Sequence, residues 1–379
     1  MILKMPVQTT VPLVRLAAAF VIALFLGVPA AAEIRLTDAA GRDVRLAIPA
    51  QRIATNESLL LLSLALIDPD PVSRLAGWAA PQRIDRGFYQ SFRARFPSID
   101  SIPVAGGVVG SKTSPEAILA VKPDVFVVSL WDQSWTQVAA TLEAAGVPVV
   151  FLDGPANDGR GPAETTISSI ELLGKVIGRE AQAHAFSDFV RPRYALITDR
   201  TRNLRRPSVL IDAHAGEDCC STPGRDNRMT EYLKLAGGES IGVGVPGYDG
   251  RLSAEYVLVK DPEVYIATGG PHLAAQNGLV LGDDITADAA SRSFAMLVSS
   301  DLRSSLTAVR SGRAHAVSHQ LSISVLNVLA FECYARWIHP DLFTDIDPAA
   351  TLAEINNRFL SVPLEGTFWL DLDVSRIAQ

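Results

Sequence analysis

The sequence predicts an α/β protein of two lobes, each with a mostly parallel sheet flanked by helices, joined by one long linking helix. Three observations support this fold class. Short buried strands alternate with helical segments along most of the chain, a pattern typical of parallel sheets covered on both faces. A helical stretch spans residues 164–203. A short unit carrying a serine and a glutamate occurs once on each side of that stretch.

Residues 1–32 have the features of an export signal. Lys4 and Arg15 precede the apolar run 16–28, and Ala30 to Ala32 offer small residues for cleavage. The run is too short to cross a bilayer comfortably, which disfavours an uncleaved anchor. No cysteine follows the cleavage point to accept a lipid. We therefore expect a soluble periplasmic protein, cleaved near Ala32.

The overall charge disfavours two classes of partner. The chain has 34 basic and 41 acidic side chains, a net charge of −7. Removing residues 1–32 takes away Lys4 and Arg15 and no acid, which leaves 32 basic against 41 acidic residues, a net −9. This acidic balance argues against binding to nucleic acid or to anionic lipid.

The first lobe is predicted over residues 33–163. Residues 33–48 alternate in polarity around Ala40 and Gly41, which indicates a hairpin. Buried strands and helices then alternate. Strands are expected at 52–55, 74–78, 124–130 and 147–152, and helices at 57–67, 82–96, 115–121 and 132–145.

Residues 164–203 form the predicted linking helix. Apolar residues recur at helical spacing through Ile167, Ile170 and Leu173. At ~1.5 Å per residue, one continuous helix would be about 50–60 Å long. Pro192 predicts a kink, or a second helix beginning near it. This stretch alone fits either a rigid spine between two lobes or a crossover helix inside one large domain.

The second lobe is predicted over residues 204–379. The alternation resumes there, and the end of the chain is expected to pack back onto a lobe. Strands are expected at 208–213, 263–268 and 314–318, and helices at 227–236, 254–260, 323–337 and 348–360.

An internal repeat favours two related lobes. Residues 114–127 align without gaps with residues 253–266, each reading as a capped helical turn followed by a buried strand. Glu116 and Glu255 occupy equivalent places, two residues after a serine that can cap the helix. A carboxylate stabilises a helix N-terminus by roughly 0.3–1 kcal/mol. That effect explains either glutamate alone, but not its repetition in both lobes.

An ordered set of segments carries a family resemblance. It comprises the hairpin followed by Arg52, the unit at 114–127, the linking helix, the turn at 236–242 and the unit at 253–266. Together they resemble the periplasmic binding proteins of ABC importers for iron–siderophore complexes, haem and vitamin B12. The resemblance implies a monomeric, non-enzymatic receptor without an intrinsic cofactor, with its ligand between the lobes. It also implies that Glu116 and Glu255 dock onto arginines of a permease dimer, which works with an ATPase.

The ligand site is expected beyond the carboxyl ends of the strands, where α/β lobes bind ligands. Basic and aromatic residues follow several predicted strands, and they suit an anionic, partly aromatic ferric chelate of siderophore type. Haem or cobalamin remains the alternative ligand. The candidate ligand-binding residues are Trp78, Lys112, Trp131, His214, Arg225, Tyr248, His272 and His319.

The histidines could instead ligate haem iron or a bare metal ion. All three, His214, His272 and His319, fall in the second lobe, and the first lobe has no histidine. Binding proteins for free zinc or manganese take ligands from both lobes, which disfavours a free-metal site.

The cysteines leave several possibilities open. Cys219 and Cys220 could form a disulfide with each other, or one of them could bridge to Cys333. Cys333 falls in an apolar helix, where a buried free thiol is typical. An exported metal-cofactor enzyme using the three histidines and the cysteine pair is the alternative from a different class.

Overall fold

The structure is a computed structural model that describes residues 1–3, 5 and 33–373. Apart from residues 1–3 and 5, the predicted export signal and its cleavage point near Ala32 lie outside the described residues. Among the described residues, no helix is both long enough and apolar enough to cross a membrane.

The first lobe is built on a four-stranded parallel sheet, and an antiparallel hairpin precedes it, as predicted. In chain order its elements are β1 (Ile34–Thr37), β2 (Asp43–Leu46), β3 (Ile53–Thr55), α1 (Leu60–Ile67), β4 (Leu75–Trp78), α2 (Arg86–Arg95), α3 (Pro115–Ala120), β5 (Val125–Val128), α4 (Trp135–Ala144) and β6 (Val149–Phe151). The sheet order is β4-β3-β5-β6, and every residue of these four strands is buried.

The linking segment consists of two helices, α5 (Pro162–Ile177) and α6 (Glu180–Thr201), which corrects the expectation of one continuous helix. The break lies at Gly178, whose φ of +69° is a left-handed conformation that ends helices. Glu171 of α5 contacts both His184 and Arg191 of α6, so the two helices run side by side in opposite directions. The expectation that a second helix begins near Pro192 is also wrong, because Pro192 lies inside α6 and the helix continues past it.

The second lobe contains a five-stranded sheet in the order β15-β13-β11-β7-β9, with only the edge strand β15 antiparallel. The end of the chain packs back through β15, as expected. Three helices over residues 287–310 were not predicted, and the helix expected from residue 323 begins at Asn327. In chain order the elements are β7 (Ser208–Asp212), β8 (Ser221–Pro223), α7 (Arg228–Leu235), β9 (Glu239–Ser240), β10 (Asp249–Arg251), α8 (Ala254–Lys260), β11 (Val264–Gly269), β12 (Gly282–Asp283), α9 (Ala287–Val298), α10 (Asp301–Ser305), α11 (Thr307–Arg310), β13 (Ala314–Ser318), α12 (His319–Ile323), α13 (Asn327–Ile338), α14 (Pro348–Arg358), β14 (Gly366–Thr367) and β15 (Trp369–Asp371).

The two copies of the repeat lie in different sheets. Ser114 caps α3 by accepting a hydrogen bond from the Ala117 amide, and Ser253 caps α8 by accepting one from the Tyr256 amide. Helix α3 leads into β5 of the first sheet, and α8 leads into β11 of the second. The repeat therefore marks two lobes rather than one continuous sheet.

Helix α2 of the first lobe contacts the second lobe directly. A Cβ on Gly87 would lie only 2.0 Å from the Asp283 carbonyl oxygen, so the close approach requires glycine. Ser91 donates a hydrogen bond to the Asp283 carboxylate, and Phe88 stacks on Phe368 with ring centroids 6.0 Å apart. The lobes are thus already in contact along one side of the space between them.

Candidate functional site

A cavity of about 530 Å³ lies between the lobes. Residues within 57–63, 129–131 and 152–160 of the first lobe line it, from the segments that follow β3, β5 and β6, including the first turn of α1. Residues 226–232 and 322–327 line it from the second lobe, and the start of α5 adds further contacts. The cavity is therefore placed at the carboxyl ends of the first sheet, as expected for α/β lobes.

Two aromatic side chains predicted from the sequence line this cavity. Trp131 follows β5 and is held edge-on against Phe151, with ring centroids 5.2 Å apart. Tyr248 faces it from the second lobe and is 55% exposed. The two rings offer apolar surface on opposite walls, while the Tyr248 hydroxyl can still reach solvent or a ligand.

The arginines of the cavity are ion-paired. Arg83 contacts Glu57 at 2.8 Å within the first lobe. Arg228 of α7 crosses the gap to Asp153 of the first lobe at 2.6 Å and donates to Thr165 at 3.0 Å. The described lining contains five acidic residues and three arginines, so the expected excess of positive charge for an anionic ligand is not present there.

The three predicted histidines converge in the second lobe. They follow β7, β11 and β13, which are neighbours in the sheet. His214 Nδ1 lies 3.2 Å from His272 Nε2, and the ring centroids of His214 and His319 are 3.6 Å apart. The Thr268 hydroxyl is 2.9 Å from His319 Nδ1 and accepts a hydrogen bond from the His214 backbone amide. Thr268 therefore positions two of the three histidines.

The environment keeps these imidazoles uncharged near neutral pH. Burial, followed by the charges of His272 and Arg83, lowers the pKa of His214 to about 4. Burial also lowers the pKa of His272, and that of His319 falls well below its usual value. Neutral imidazole is the form that ligates metal ions. None of the three histidines is among the residues that line the cavity; Arg83, which does line it, helps to lower the pKa of both His214 and His319.

A carboxylate of the first lobe faces the same cluster. A Cβ on Gly270 would lie 2.9 Å from His272 Nδ1 and 3.3 Å from Asp85 Oδ1. The side chains of His272 and Asp85 therefore both approach the same face of Gly270. The Asp85 amide donates a hydrogen bond to the Gln320 side chain of the second lobe. Asp85 Oδ2 is buried without a hydrogen-bond partner among the described residues. Burial, then the nearby Asp283, raises the pKa of Asp85 to about 7.

Asp85→Asn is expected to change how stability depends on pH. The folded chain keeps the Asp85 proton up to about pH 7, whereas the unfolded carboxyl loses it near 3.8. The contribution of Asp85 to the stability of the parent protein therefore decreases as the pH rises from about 4 to about 7. We expect the variant to gain about 1–3 kcal/mol over the parent at pH 8, and less at pH 5. Urea unfolding at both pH values measures this, with the exposed Asp345→Asn as control. An equal difference at both pH values would contradict the assignment.

Three other predicted site residues lie elsewhere. Trp78 is only 2% exposed and belongs to the core of the first lobe, so its assignment to the cleft wall is corrected. Lys112 is exposed in a short turn and Arg225 is exposed next to Asp226, but neither lines the cavity. Both residues lie on loops, and the sequence pattern does not determine in which direction a loop side chain points.

Several cleft residues were not predicted. Asp153 lies close behind β6, which is the same signal that identified Trp131 behind β5. A short helical turn follows β4 and ends at Arg83, with Asp85 just beyond it, so this signal was weaker for both. Arg228 opens α7 after its cap Asn227 and offered no comparable signal.

Among the possibilities for the cysteines, the structure contains the disulfide between Cys219 and Cys220. Cys333 is a buried free thiol in α13, as expected. The pair lies on the loop between β7 and β8, which also carries His214.

Comparisons with known proteins agree with this architecture. No curated protein sequence matches the chain significantly. A TroA-like periplasmic binding protein, FepB from Veillonella parvula, is 26% identical with a TM-score of 0.80, covering 90% of this chain and 100% of its own. The molybdate-binding protein MolA from Haemophilus influenzae is 14% identical with a TM-score of 0.67, covering 88% and 99%. A protein of an Fe³⁺-hydroxamate transport system from Saccharomonospora viridis is 21% identical with a TM-score of 0.52, covering 80% and 98%.

The similarities to the proteins from Haemophilus influenzae and Saccharomonospora viridis, both below 25% identity, concern the fold alone. A family model described as periplasmic binding protein matches residues 96–317, which is more than half of the chain. Members of this family are periplasmic solute-binding proteins rather than enzymes, and those of ABC transporters work with a permease and an ATPase. The alternative of an exported metal-cofactor enzyme is thereby excluded. The chain belongs to the periplasmic binding protein family.

Proposed function

We propose that the protein is the receptor of an ABC importer and binds a ferric chelate of siderophore type in the cavity between its lobes. The observation that carries this proposal is the pair of imidazole nitrogens, His214 Nδ1 and His272 Nε2, which lie 3.2 Å apart where the second lobe faces Asp85 of the first lobe. The proposal includes export to the periplasm after cleavage near Ala32, and action as a monomer.

The spacing of the two nitrogens suits adjacent ligands of a single metal ion. With metal–nitrogen bonds of about 2.0–2.1 Å, two neighbouring ligands stand roughly 2.9–3.4 Å apart. A ferric chelate that leaves two neighbouring coordination positions open could therefore be completed by His214 and His272. Trp131 and Tyr248 would then pack against the carbon skeleton of the chelator.

The charge of the cavity lining restricts the net charge of a chelate that can bind there. Arg83 and Arg228 already pair with acids, and acidic residues outnumber arginines in the described lining. A strongly anionic chelate would be repelled by this lining. We therefore favour a chelate of low net charge, such as a hydroxamate complex, over the anionic type that the sequence suggested.

Haem is a less suitable ligand for this pair of histidines. Two axial ligands must approach a planar macrocycle from opposite faces, whereas His214 and His272 present their nitrogens side by side. At most one of them could ligate haem iron without rearrangement. Among the described residues that line the cleft, no specific contact favours cobalamin.

The proposal can be tested on protein purified from its own periplasm. Native mass spectrometry and absorption spectroscopy should find one ferric chelate per chain, released together with its iron on unfolding. Recovery of haem, or of a metal-free organic solute in its place, would overturn the proposed ligand.

Docking onto the permease can be tested separately. Glu116 and Glu255 are both exposed on capped helices. Ser114 lowers the pKa of Glu116, and the Glu255 amide with Ser253 lowers that of Glu255, so both stay ionised. Glu116→Lys/Glu255→Lys should abolish chelate uptake by cells, because both docking charges are reversed, while binding in solution is unchanged.

The control is reversal of two exposed acids elsewhere, Glu180→Lys/Asp341→Lys, which should leave uptake intact. Normal uptake by the Glu116/Glu255 variant, or loss of its chelate binding, would contradict the docking role.

A further inference from the structure

The loop between β7 and β8 contains a second cluster of metal-ligating side chains. Cys219 and Cys220 form a disulfide on this loop, with Cys220 fully buried and Cys219 partly exposed. Asp212, the last residue of β7, is fully buried beside them. One ligand atom from each of these three residues lies within 4.8 Å of the others.

Only one of the two oxygens of the Asp212 carboxylate has hydrogen-bond partners among the described residues. Its Oδ2 accepts hydrogen bonds from the Tyr265 hydroxyl at 2.8 Å and from Arg303 Nε and Nη2 at 3.0 and 2.9 Å. Its Oδ1 is buried and has no hydrogen-bond partner among the described residues. A buried acceptor without a partner is energetically unfavourable. Cys219 Sγ lies 3.9 Å from the other oxygen, Oδ2, so the carboxylate is next to the disulfide, and Oδ1 is its oxygen without a competing donor.

We propose that reduction of the Cys219–Cys220 disulfide creates a site for a thiophilic divalent metal ion, held by both sulfurs and the Asp212 carboxylate. A dithiol reductant supplies two electrons, so that the sulfur–sulfur bond breaks, two thiols form and the reductant is oxidised to its own disulfide. The metal ion then displaces both thiol protons and forms two metal–sulfur bonds. Thiolate ligands select soft or borderline ions such as Cd²⁺ and Zn²⁺.

The charges balance in both states of this cluster. With the disulfide closed, Asp212 and Arg303 form a buried ion pair at 2.9 Å, each side chain 1% exposed. In the metal-bound state two thiolates and one carboxylate carry three negative charges, and the divalent ion together with Arg303 cancels them. A monovalent ion or an empty dithiolate would leave net charge in a buried place, which is costly. Exposed neighbours on the loop are Glu217 and Asp218, with Arg251 on β10.

The loop is anchored independently of the disulfide. Arg303 donates hydrogen bonds to the carbonyl oxygens of Gly216 at 2.8 Å and Glu217 at 3.3 Å. The Leu252 amide donates to the Cys220 carbonyl, and the Ala213 amide to Ser221. Opening the sulfur–sulfur bond therefore leaves the backbone held, with both sulfurs near Asp212. The site is separate from the cleft, and its existence does not depend on which solute the cleft binds.

The test is a Cd²⁺ titration of the purified protein before and after dithiothreitol, with the reductant removed under argon. Thiol counts in denaturant should rise from one, Cys333, to three per chain. The reduced protein should bind one Cd²⁺ per chain with thiolate-to-metal charge-transfer absorption. We expect its affinity to exceed that of the oxidised protein on the order of 100-fold.

Two variants identify the ligands. Cys219→Ser/Cys220→Ser should lose the charge-transfer band and the gain in affinity, whereas Cys333→Ser should keep both. Circular dichroism checks that each protein is folded. The proposal is overturned if the folded protein does not yield the two additional thiols, if its reduced form binds Cd²⁺ no better than the double variant, or if Cys333→Ser abolishes binding.

Discussion

Replacing Arg303 with methionine is expected to lower the free energy of unfolding by about 3–5 kcal/mol. Arg303 is 1% exposed and is the charge partner of the fully buried Asp212. Without it, Asp212 must either remain ionised and unpaired or take up a proton. Burial already raises the pKa of Asp212 against the opposing effect of Arg303, so proton uptake would follow its removal. The carbonyl oxygens of Gly216 and Glu217 would also lose a donor.

Urea unfolding at neutral pH measures this effect, and the second lobe supplies a matched control. Arg205 forms a comparable ion pair with Glu263, but its side chain is 72% exposed. Arg205→Met should therefore cost less than about 1 kcal/mol. Arg303→Met/Asp212→Leu should recover part of the loss, because a buried pair can be replaced by apolar groups at little cost. Equal effects of Arg303→Met and Arg205→Met would show that burial does not govern the Asp212 pair.

The parts of the fold that follow local rules were predicted correctly. Buried strands such as β5 and β6 read as unbroken apolar runs, and Ser114 and Ser253 cap their helices as the repeat predicted. Both features depend on neighbours in the sequence: hydrophobic period and capping hydrogen bonds. The placement of the repeat in two sheets followed from the same local evidence.

The position of the break in the linking segment was predicted wrongly, because the segment contains both a proline and a glycine that can end a helix. Pro192 is the only breaker named from the sequence, yet α6 continues past Pro192, whereas α5 ends at Gly178. The deciding contact is non-local: a Cβ on Gly174 would lie 2.5 Å from the Ala183 Cβ, so the two helices pack tightly against each other. Sequence spacing indicates the helical stretch, but not which glycine permits a reversal of direction.

The candidate site was recovered only in part for a related reason. His214, His272 and His319 were recognised because each follows a strand, and adjacent parallel strands bring such residues together. The sequence does not show which charged residues far apart in the chain form ion pairs. Arg228 meets Asp153 across 75 residues, and that contact removes the free positive charge expected of the cleft.

The second large effect concerns the histidine pair. His214→Ala/His272→Ala should remove the preference of the protein for a ferric dihydroxamate, with four oxygen donors, over a ferric trihydroxamate, with six. The trihydroxamate fills the coordination sphere of iron and needs no imidazole, whereas the dihydroxamate leaves two positions open. The parent should bind the dihydroxamate about 10–100-fold more tightly than the double variant does, as is typical when metal ligation is weakened.

Quenching of tryptophan fluorescence follows both titrations, because Trp131 lines the cavity. The readout is the ratio of the two affinities, which a general disturbance of the cleft would not change selectively. His184→Ala is the control, since His184 is exposed on α6 and contacts Glu171 instead of the cleft. A parent without any preference for the dihydroxamate, or a double variant that keeps it, would mean that these nitrogens do not bind iron. Equal weakening of both chelates would instead assign the histidines to the shape of the cavity, because only direct ligation distinguishes an open coordination sphere from a closed one.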